Sequence, residues 1–153
     1  MNKNLLIYQA SAGSGKTRTL VKEYLNLAFT NPGNYKNTLA ITFTNKATEE
    51  MKSRVIEYLV KLSQTERDSD IEKLGEEIVS DLKKRGVPTK NFNLRKTASD
   101  VLYSILHDYS NFNISTIDSF CIRIIKSFAK ELGLPVGFNL ELDSVAVLDE
   151  LTN

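Results

Sequence analysis

Apolar residues form two patterns along the chain: short continuous runs, and stripes in which they recur every three or four positions. The first run, at residues 5–8, ends in a Gly/Ser-rich segment, which is typical of a strand buried on both faces of a parallel sheet. A stripe then recurs every three or four positions over residues 17–29, at Leu20, Val21, Tyr24, Leu25 and Ala28. Asn31-Pro32-Gly33-Asn34 interrupts it. This stretch predicts a strand, a loop, a helix and a turn.

The same succession repeats directly afterwards. Residues 38–43 form an apolar run that predicts a second strand, and a second helical stripe follows at Ala47, Met51, Val55, Tyr58 and Leu62. Two strand–helix units in series favour an α/β fold with a parallel sheet.

The second half of the chain is less regular. Residues 63–92 are charged, weakly periodic and broken by Gly86-Val87-Pro88, so they predict a solvated helical insertion outside the core. A helical face returns at Ala98, Val101, Leu102, Ile105, Leu106 and Tyr109, and residues 113–117 predict a third strand. A last helix is striped by Phe120, Ile124, Ile125, Phe128 and Leu132 and is expected to stop at Gly133-Leu134-Pro135.

Composition narrows the class of protein. The chain has 153 residues, 41% hydrophobic and 25% charged, which is ordinary for one soluble domain and excludes a disordered or collagen-like chain. No stretch approaches the roughly 20 apolar residues of a membrane span, so we expect a cytoplasmic protein with no membrane partner. Cys121 is the single cysteine and His107 the single histidine, which excludes an intramolecular disulfide and a Cys/His zinc site. Cys121 is expected to be a small buried residue, and His107 to be packed or solvated rather than catalytic.

Charge is nearly balanced overall but unevenly distributed. The net charge is +1. Residues 1–60 hold 8 basic and 4 acidic groups and residues 86–130 hold 6 and 3, whereas residues 131–153 hold 5 acidic groups and no basic one. The basic excess therefore lies in two stretches of the chain.

The segment between the first strand and the first helix carries the clearest chemistry. Residues 10–17 match the phosphate-loop pattern except that Ala10 replaces its first glycine. Consecutive backbone N–H groups and the positive end of a helix dipole suit triphosphate oxygens. Lys16 is expected to reach the β- and γ-phosphates and Thr17 to bind Mg²⁺. The predicted nucleotide site comprises Ala12, Gly13, Ser14, Gly15, Lys16, Thr17 and Arg18, of which Arg18 is expected not to touch the phosphates directly; the alternative is a turn that merely caps a helix.

Three segments together resemble a known family. They are residues 10–17, residues 41–47 (Ile-Thr-Phe-Thr-Asn-Lys-Ala) followed by Glu50-Met51-Lys52, and residues 114–120 (Ile-Ser-Thr-Ile-Asp-Ser-Phe). In this order they resemble three motifs of superfamily 1 DNA helicases of the UvrD/Rep type. The short lead before the phosphate loop, the insertion and Leu132-Gly133-Leu134 are most similar to the RecB/AddA helicase-nuclease branch.

The resemblance implies a fold and a function. The fold would be α/β, a RecA-like P-loop NTPase with a partial parallel sheet flanked by helices and a helical insertion over about residues 63–110. Residues 1–120 would form the N-terminal part of the ATP-binding lobe called 1A, and residues 121–153 would begin a helical 1B-like subdomain. The chain would be the N-terminal segment of an ATP-dependent DNA helicase in repair and recombination. Its cofactors would be ATP and Mg²⁺, and its partners single-stranded DNA, a second RecA-like lobe and a nuclease domain or subunit.

The second and third segments carry the expected DNA contacts, Thr42, Phe43, Thr44, Asn45, Lys46, Thr116, Ser119 and Phe120. Loops at the carboxyl ends of parallel strands share one edge of a sheet, and short hydroxyl and amide side chains suit phosphates. The aromatic rings would stack on bases. Helix capping by Thr44 and Asn45 is an alternative role, and core packing is the more frequent role of aromatic residues such as Phe43 and Phe120.

Some positions depart from the family pattern. Asp118 stands where the family usually has His, and Gln9 is out of position for the family's adenine-reading glutamine.

No acidic pair that would hold Mg²⁺ at the end of a buried strand precedes residue 145. Asp149-Glu150 follows an apolar run, but Asp143 or Ser144 capping a helix is the simpler interpretation of that segment. We therefore expect ATP binding without efficient turnover; the alternatives are a nucleotide-independent DNA-binding or docking module and a small P-loop phosphotransferase.

Overall fold

The structure is a computed structural model that describes residues 7–8 and 15–135. Within them the elements follow in the order α1 (Lys16–Thr30), β1 (Ala40–Thr42), α2 (Asn45–Ser63), α3 (Ser69–Lys84), α4 (Leu94–His107), β2 (Ile114–Thr116) and α5 (Ile117–Ser127). Two 3₁₀ helices, Pro32–Asn37 and Tyr109–Asn111, precede the strands. The chain divides into two compact units, residues 1–115 and residues 116–153.

Polar side chains at the starts of three helices explain where these helices begin. The Thr44 hydroxyl accepts a hydrogen bond from the Ala47 N–H at 3.1 Å, and the Asp68 carboxylate accepts from Ile71 at 2.9 Å. The Asn93 side chain accepts from Lys96 at 3.0 Å. Each side chain satisfies a backbone donor that a helix start leaves without an intrahelical partner.

Helices α1 to α4 enclose the core of the first unit. Its fully buried apolar side chains come from all four helices: Val21, Leu25, Ala28, Val55, Leu59, Leu62, Ile78, Leu82, Ala98, Val101 and Ile105. The Tyr24 and Phe112 rings extend the core with an edge-on contact at 5.7 Å. The predicted stripe on α2 is confirmed, with Met51, Val55 and Leu62 buried. On α4, Ala98, Val101 and Ile105 are buried as predicted and Leu102 is partly buried, but Leu106 is exposed, as is Tyr109 beyond the end of the helix.

Helix α3 corrects the prediction for residues 63–92. Ile71, Leu74, Ile78 and Leu82 are all buried in the core, so the segment is not a solvated insertion. Its apolar residues do recur at helical spacing, but the dense charges between them mask the stripe. Gly75 allows the close approach of α3 to its neighbours, because a Cβ there would lie 2.8 Å from Leu94 Cδ2.

The sheet is smaller than predicted. Strands β1 and β2 pair side by side in a parallel two-stranded sheet, and the Ala40 N–H donates to the Asn113 carbonyl at 2.9 Å. Each covers three residues of the longer predicted runs. The coarse α/β class is confirmed, although helices dominate it.

The predicted first strand is wrong for the two of its residues that are described. Ile7 and Tyr8 have no strand conformation, and the exposed fraction of Ile7 is 77%. The Tyr8 hydroxyl instead donates to Glu23 of α1 at 3.1 Å, which holds this segment against a helix through a side chain. Residues 5 and 6 lie outside the described residues.

The second unit is described from Thr116 to Pro135 and contains α5. The predicted helix is present, and Ile117, predicted to end a strand, is its first residue. The helix ends at Ser127, earlier than the predicted stop at Gly133-Leu134-Pro135, so Phe128 and Leu132 of the predicted stripe lie in the turns that follow it. In these turns the Leu134 N–H donates to the Ala129 carbonyl at 2.9 Å. Cys121 is exposed, so the prediction that it is buried is wrong; no residue of α5 has a buried side chain.

None of the described helices combines the length and the apolar character needed to cross a bilayer.

Candidate functional site

The N-terminus of α1 follows a backbone turn at Gly15. Gly15 has φ +79°, a left-handed conformation that costs energy for residues with a Cβ. Lys16 and Arg18 are exposed, and Thr17 is partly exposed. The three residues after the turn therefore occupy the first turn of a helix and are accessible to solvent.

No described side chain closes this helix start. Gly15 has no side chain to cap the helix, and the first turn of α1 contains no acidic residue. In contrast, side chains cap α2, α3, α4 and α5. The first N–H groups of a helix lack intrahelical acceptors and carry the positive end of its dipole. The start of α1 is thus suited to an anion.

Arg18 turns toward α3 rather than along its own helix. Its Nη2 lies 3.3 Å from Glu77 Oε1, and Lys22 bridges Glu77 at 3.3 Å and Asp81 at 3.1 Å. Burial lowers the pKa of Lys22, but its hydrogen bonds and ion pairs with Asp81 and Glu77 outweigh burial and leave the pKa raised. Lys22 therefore stays a cation that links two carboxylates of α3.

Several predicted positions lie outside the described residues. They are Gln9, Ala10, Ala12, Gly13 and Ser14 on one side of α1, and Asp143, Ser144, Asp149 and Glu150 near the end of the chain. The prediction of a phosphate loop at residues 10–14, and both interpretations of the Asp149-Glu150 segment, stay predictions.

The segment after β1 combines a closed hydrogen-bond cluster with exposed side chains. The Thr42 and Thr48 hydroxyls lie 2.6 Å apart, and the Thr42 hydroxyl also donates to the Thr44 carbonyl at 3.2 Å. Thr44 caps α2, which bears out the alternative role for this residue. Asn45 and Lys46 are exposed on the first turn of α2. Thr42 therefore shapes the loop from within, while its neighbours face solvent.

Phe43 is exposed, which corrects the expectation that its ring packs in the core. The ring is 89% exposed, the largest exposed fraction among the described large apolar side chains. The neighbouring Thr42 and Thr44 hydroxyls are bonded within the loop, and the phenyl ring has no share in the core cluster. An aromatic ring this exposed is available to stack on a planar ligand.

The third predicted segment, residues 114–120, runs from β2 into the first turn of α5. The Thr116 side chain is buried and caps α5 by accepting from the Ser119 N–H at 3.2 Å. Its hydroxyl also donates to the Ser119 hydroxyl at 2.9 Å. Phe120 is partly buried, and the Arg123 guanidinium lies 5.9 Å from the centre of its ring. Asp118 is exposed in the first turn, where a carboxylate stabilises the helix dipole.

A polar pocket of about 570 Å³ opens beside Arg18 between α1, α2 and α3. Its charged lining residues are balanced in sign, three cations and three anions: Arg18, Arg54, Lys61, Glu57, Asp68 and Asp70. Lys61 is paired with Glu57 at 2.6 Å, and Arg54 with Glu50 at 2.9 Å. A lining with balanced charge gives no preference for an anion, so the phosphate-binding potential of this region rests on the start of α1.

Two further predictions concern His107 and metal binding. His107 is exposed, its ring stacks on the Tyr103 ring at 3.7 Å, and its Nδ1 lies 2.8 Å from the Tyr103 carbonyl. Within the described part of the chain, no cluster of three His, Cys, Asp or Glu residues could hold a metal ion. Thr17 stays the predicted magnesium ligand.

Sequence reasoning missed the acidic face that α3 turns toward α1. Glu77 and Asp81 lie four residues apart, so they share one side of a helix, as do Arg18 and Lys22 on α1. This complementary spacing was visible in the sequence. The prediction that residues 63–92 lie outside the core hid it.

Comparisons with known proteins agree on one family. A family model described as "UvrD/REP helicase N-terminal domain" matches residues 1–152. The chain is 31% identical over 138 residues to an ATP-dependent helicase/nuclease subunit of Lactobacillus acidophilus, and the match covers 90% of the chain and 9% of that protein. It is 31% identical over 131 residues to the RecBCD enzyme subunit RecB of Borreliella burgdorferi, covering 86% of the chain and 10% of that protein.

A third relative is similar to the same extent. An ATP-dependent helicase/nuclease subunit of Bacillus pumilus is 30% identical over 154 residues, covering 95% of the chain and 10% of that protein. No solved structure matches the chain. The chain spans about a tenth of the length of these relatives. The family match covers all but the last residue, and the chain belongs to the UvrD/REP helicase N-terminal domain family.

Proposed function

We propose that this chain is the nucleotide-binding part of an ATP-dependent DNA helicase with a RecA-like ATP-binding lobe, acting in DNA repair or recombination. It binds Mg·ATP at the start of α1 and single-stranded DNA at the segments that follow β1 and β2. The observation that carries the proposal is Gly15-Lys16-Thr17 at an uncapped helix start, in a chain of the UvrD/REP family.

The chemistry of the α1 start supports the nucleotide part. Lys16 is exposed beside backbone donors that no described side chain occupies, so its ammonium group is free to reach phosphate oxygens. Thr17 follows, with a hydroxyl that suits Mg²⁺ bridging the same phosphates. Arg18 is held by Glu77 at 3.3 Å, which supports the expectation that it does not touch the phosphates directly.

The loop after β1 supports the DNA part. Phe43 presents an exposed ring, and Thr44, Asn45 and Lys46 are exposed next to it. A stacking ring flanked by polar and cationic groups is the usual composition of a surface that binds single-stranded DNA without reading its sequence. Thr116 and Ser119 are bonded to each other, so in the second segment we assign direct contact chiefly to Phe120.

A titration with a fluorescent ATP analogue and Mg²⁺ tests the nucleotide site. Lys16→Ala removes the cation expected at the β- and γ-phosphates and should weaken binding about tenfold or more. Lys73→Ala is the matched control, since Lys73 is exposed on α3. Equal affinity of the wild type and Lys16→Ala would contradict the assignment.

A second function, nucleotide-independent DNA binding, is favoured by the exposed Phe43 alone. It predicts oligonucleotide affinity that is the same with and without Mg·ATP and in Lys16→Ala. The helicase proposal predicts DNA affinity that depends on the bound nucleotide.

Turnover is expected to be slow in this chain by itself. An acidic pair that holds Mg²⁺ and positions the attacking water has no convincing candidate before residue 145, and a catalytic arginine would come from a second lobe. Phosphate release from Mg·ATP, with and without single-stranded DNA, should stay at the level of Lys16→Ala. DNA-stimulated release that depends on Lys16 would show that the chain supplies these groups itself.

A further inference from the structure

Four ion pairs join α1 to α3 and the residue that follows it. Arg18 and Lys22 of α1 meet Glu77 and Asp81 of α3 at 3.1 to 3.3 Å. Arg85, directly after α3, pairs with Glu23 of α1. The side chains of Lys22, Asp81 and Glu23 are only about a fifth exposed, which limits solvent screening of these pairs.

The pairs hold α1 from two directions. Lys22 and Glu23 are successive residues, so they point about 100° apart around the helix axis. Because α3 and Arg85 engage both, they restrain rotation of α1 about its axis as well as sliding along it. The ion pairs thus add to the apolar packing of Val21, Leu25 and Ala28 in holding α1.

Glu23, the partner of Arg85, also contacts the chain before the predicted phosphate loop. Glu23 accepts from Arg85 through Oε2 and from the Tyr8 hydroxyl through Oε1, the latter at 3.1 Å. Tyr8 lies seven residues before Gly15 in the sequence. The carboxylate of Glu23 therefore joins Tyr8, which precedes residues 9–14, to the ion pair between Glu23 and Arg85.

We propose that α3 and the residue directly after it position the nucleotide site: Glu77 and Arg85 hold α1 so that the N–H groups of Lys16 and Thr17 face the triphosphate. This inference rests on the proposed function. Neither side chain touches the nucleotide; both act through α1, Glu77 by way of Arg18 and Lys22 and Arg85 by way of Glu23.

Nucleotide affinity of the whole 153-residue chain tests the proposal, with Mg²⁺ and a fluorescent ATP analogue as the probe. Glu77→Gln and Arg85→Met each remove charges from the network and should weaken binding about fivefold, the size of a partly screened ion-pair effect. Arg85→Lys keeps the charge and should bind within about twofold of the wild type. The control is Glu76→Gln, which alters the neighbouring exposed carboxylate.

Thermal unfolding without nucleotide separates positioning from mere stabilisation. A purely structural role lowers the unfolding midpoint but leaves the affinity unchanged at a temperature where each variant is folded. One outcome is that the wild type binds in a Lys16-dependent way while folded Glu77→Gln and Arg85→Met bind equally well or more tightly. This result would overturn the positioning role and leave the proposed function standing. Absence of Lys16-dependent binding in the wild type would overturn the proposed function and this inference with it.

Discussion

Single residues decide which helix starts are open to a ligand. Thr44 and Thr116 use their hydroxyls to cap α2 and α5, so these oxygens are committed to the backbone. Gly15 precedes α1 with a positive φ and leaves the first N–H groups of that helix without a described side-chain cap. The difference places the proposed anion site at α1 rather than at the two threonine-capped starts.

Phe43 is the residue on which the proposed DNA contact after β1 depends most. Phe43→Ala should weaken binding of a single-stranded oligonucleotide about tenfold, because base stacking on an exposed ring is lost. Fluorescence anisotropy of a labelled oligonucleotide measures the affinity, with Tyr103→Ala as the control for removal of an exposed ring, 63% exposed on α4. A loss of equal size in both variants would point to a nonspecific effect and count against the assignment.

At Phe43 and Cys121 sequence reasoning failed for the same physical reason. Both residue types are buried in most proteins, and a single sequence does not show which surface the fold leaves uncovered. Capping by Thr44 was predictable, because a hydroxyl residue directly before a helical stripe is a local signal.

Helix α3 shows how a stripe of apolar residues is hidden by charge. Its four buried positions, Ile71, Leu74, Ile78 and Leu82, lie at helical spacing. The residues between them include Glu72, Lys73, Glu76 and Glu77, whose charges led to the prediction of a solvated segment. Helices α1, α2 and α4 were predicted because their apolar stripes are less diluted by charge.

Removing a core side chain from α3 tests its place in the fold. Ile78 is fully buried, and Ile78→Ala should lower the free energy of unfolding by about 3 kcal/mol through lost burial and a cavity. Urea denaturation gives the difference, and Glu76→Ala on the exposed face of the same helix serves as the control. A change for Ile78→Ala as small as that of the control would return α3 to the solvated insertion predicted from sequence.

The contact of α3 with α1 gives stability that depends on pH. Burial raises the pKa of Asp81, but its hydrogen bonds with Lys84 and Lys22 outweigh burial and leave the pKa below the usual 3.8. Around that pH the unfolded chain therefore binds more protons than the folded chain. The contribution of Asp81 is present above the unfolded pKa and is lost as pH falls through the folded pKa.

A comparison of unfolding free energies at two pH values checks this sign. Asp81→Asn should be less stable than the wild type at about pH 6, and the gap should shrink by about pH 2.5. Asp100→Asn, which alters an exposed carboxylate of α4, is the control for the loss of a surface charge. A gap that widens on acidification would contradict the direction of the shift.

For the whole molecule, sequence patterns predicted the class and the family better than the extent of the sheet. Predicted strands at residues 38–43 and 113–117 shrink to Ala40–Thr42 and Ile114–Thr116. Strand length depends on hydrogen-bond partners elsewhere in the chain, which local patterns do not contain. The second and third motifs were informative because each joins a strand end to a helix start, a local feature.

Local sequence patterns also predicted only part of the candidate site. Lys16 and Thr17 at the start of α1 were predicted from a local motif, whereas the four ion pairs that fix α1 against α3 depend on tertiary packing. The curated relatives are about ten times longer than this chain. The proposed motor therefore involves a larger protein than these 153 residues.

The most direct measurement of the central claim is a titration of the ¹⁵N-labelled chain with Mg·ATP, followed through its backbone amide resonances. We predict saturable shifts of the Gly15, Lys16 and Thr17 amides, because their N–H groups would bond to phosphate oxygens. The amides in the middle of α4 should stay unchanged, and Lys16→Ala should abolish the response at the start of α1. No saturable shift at these three amides, or the same shifts in Lys16→Ala, would contradict the assignment of α1 as the nucleotide-binding helix.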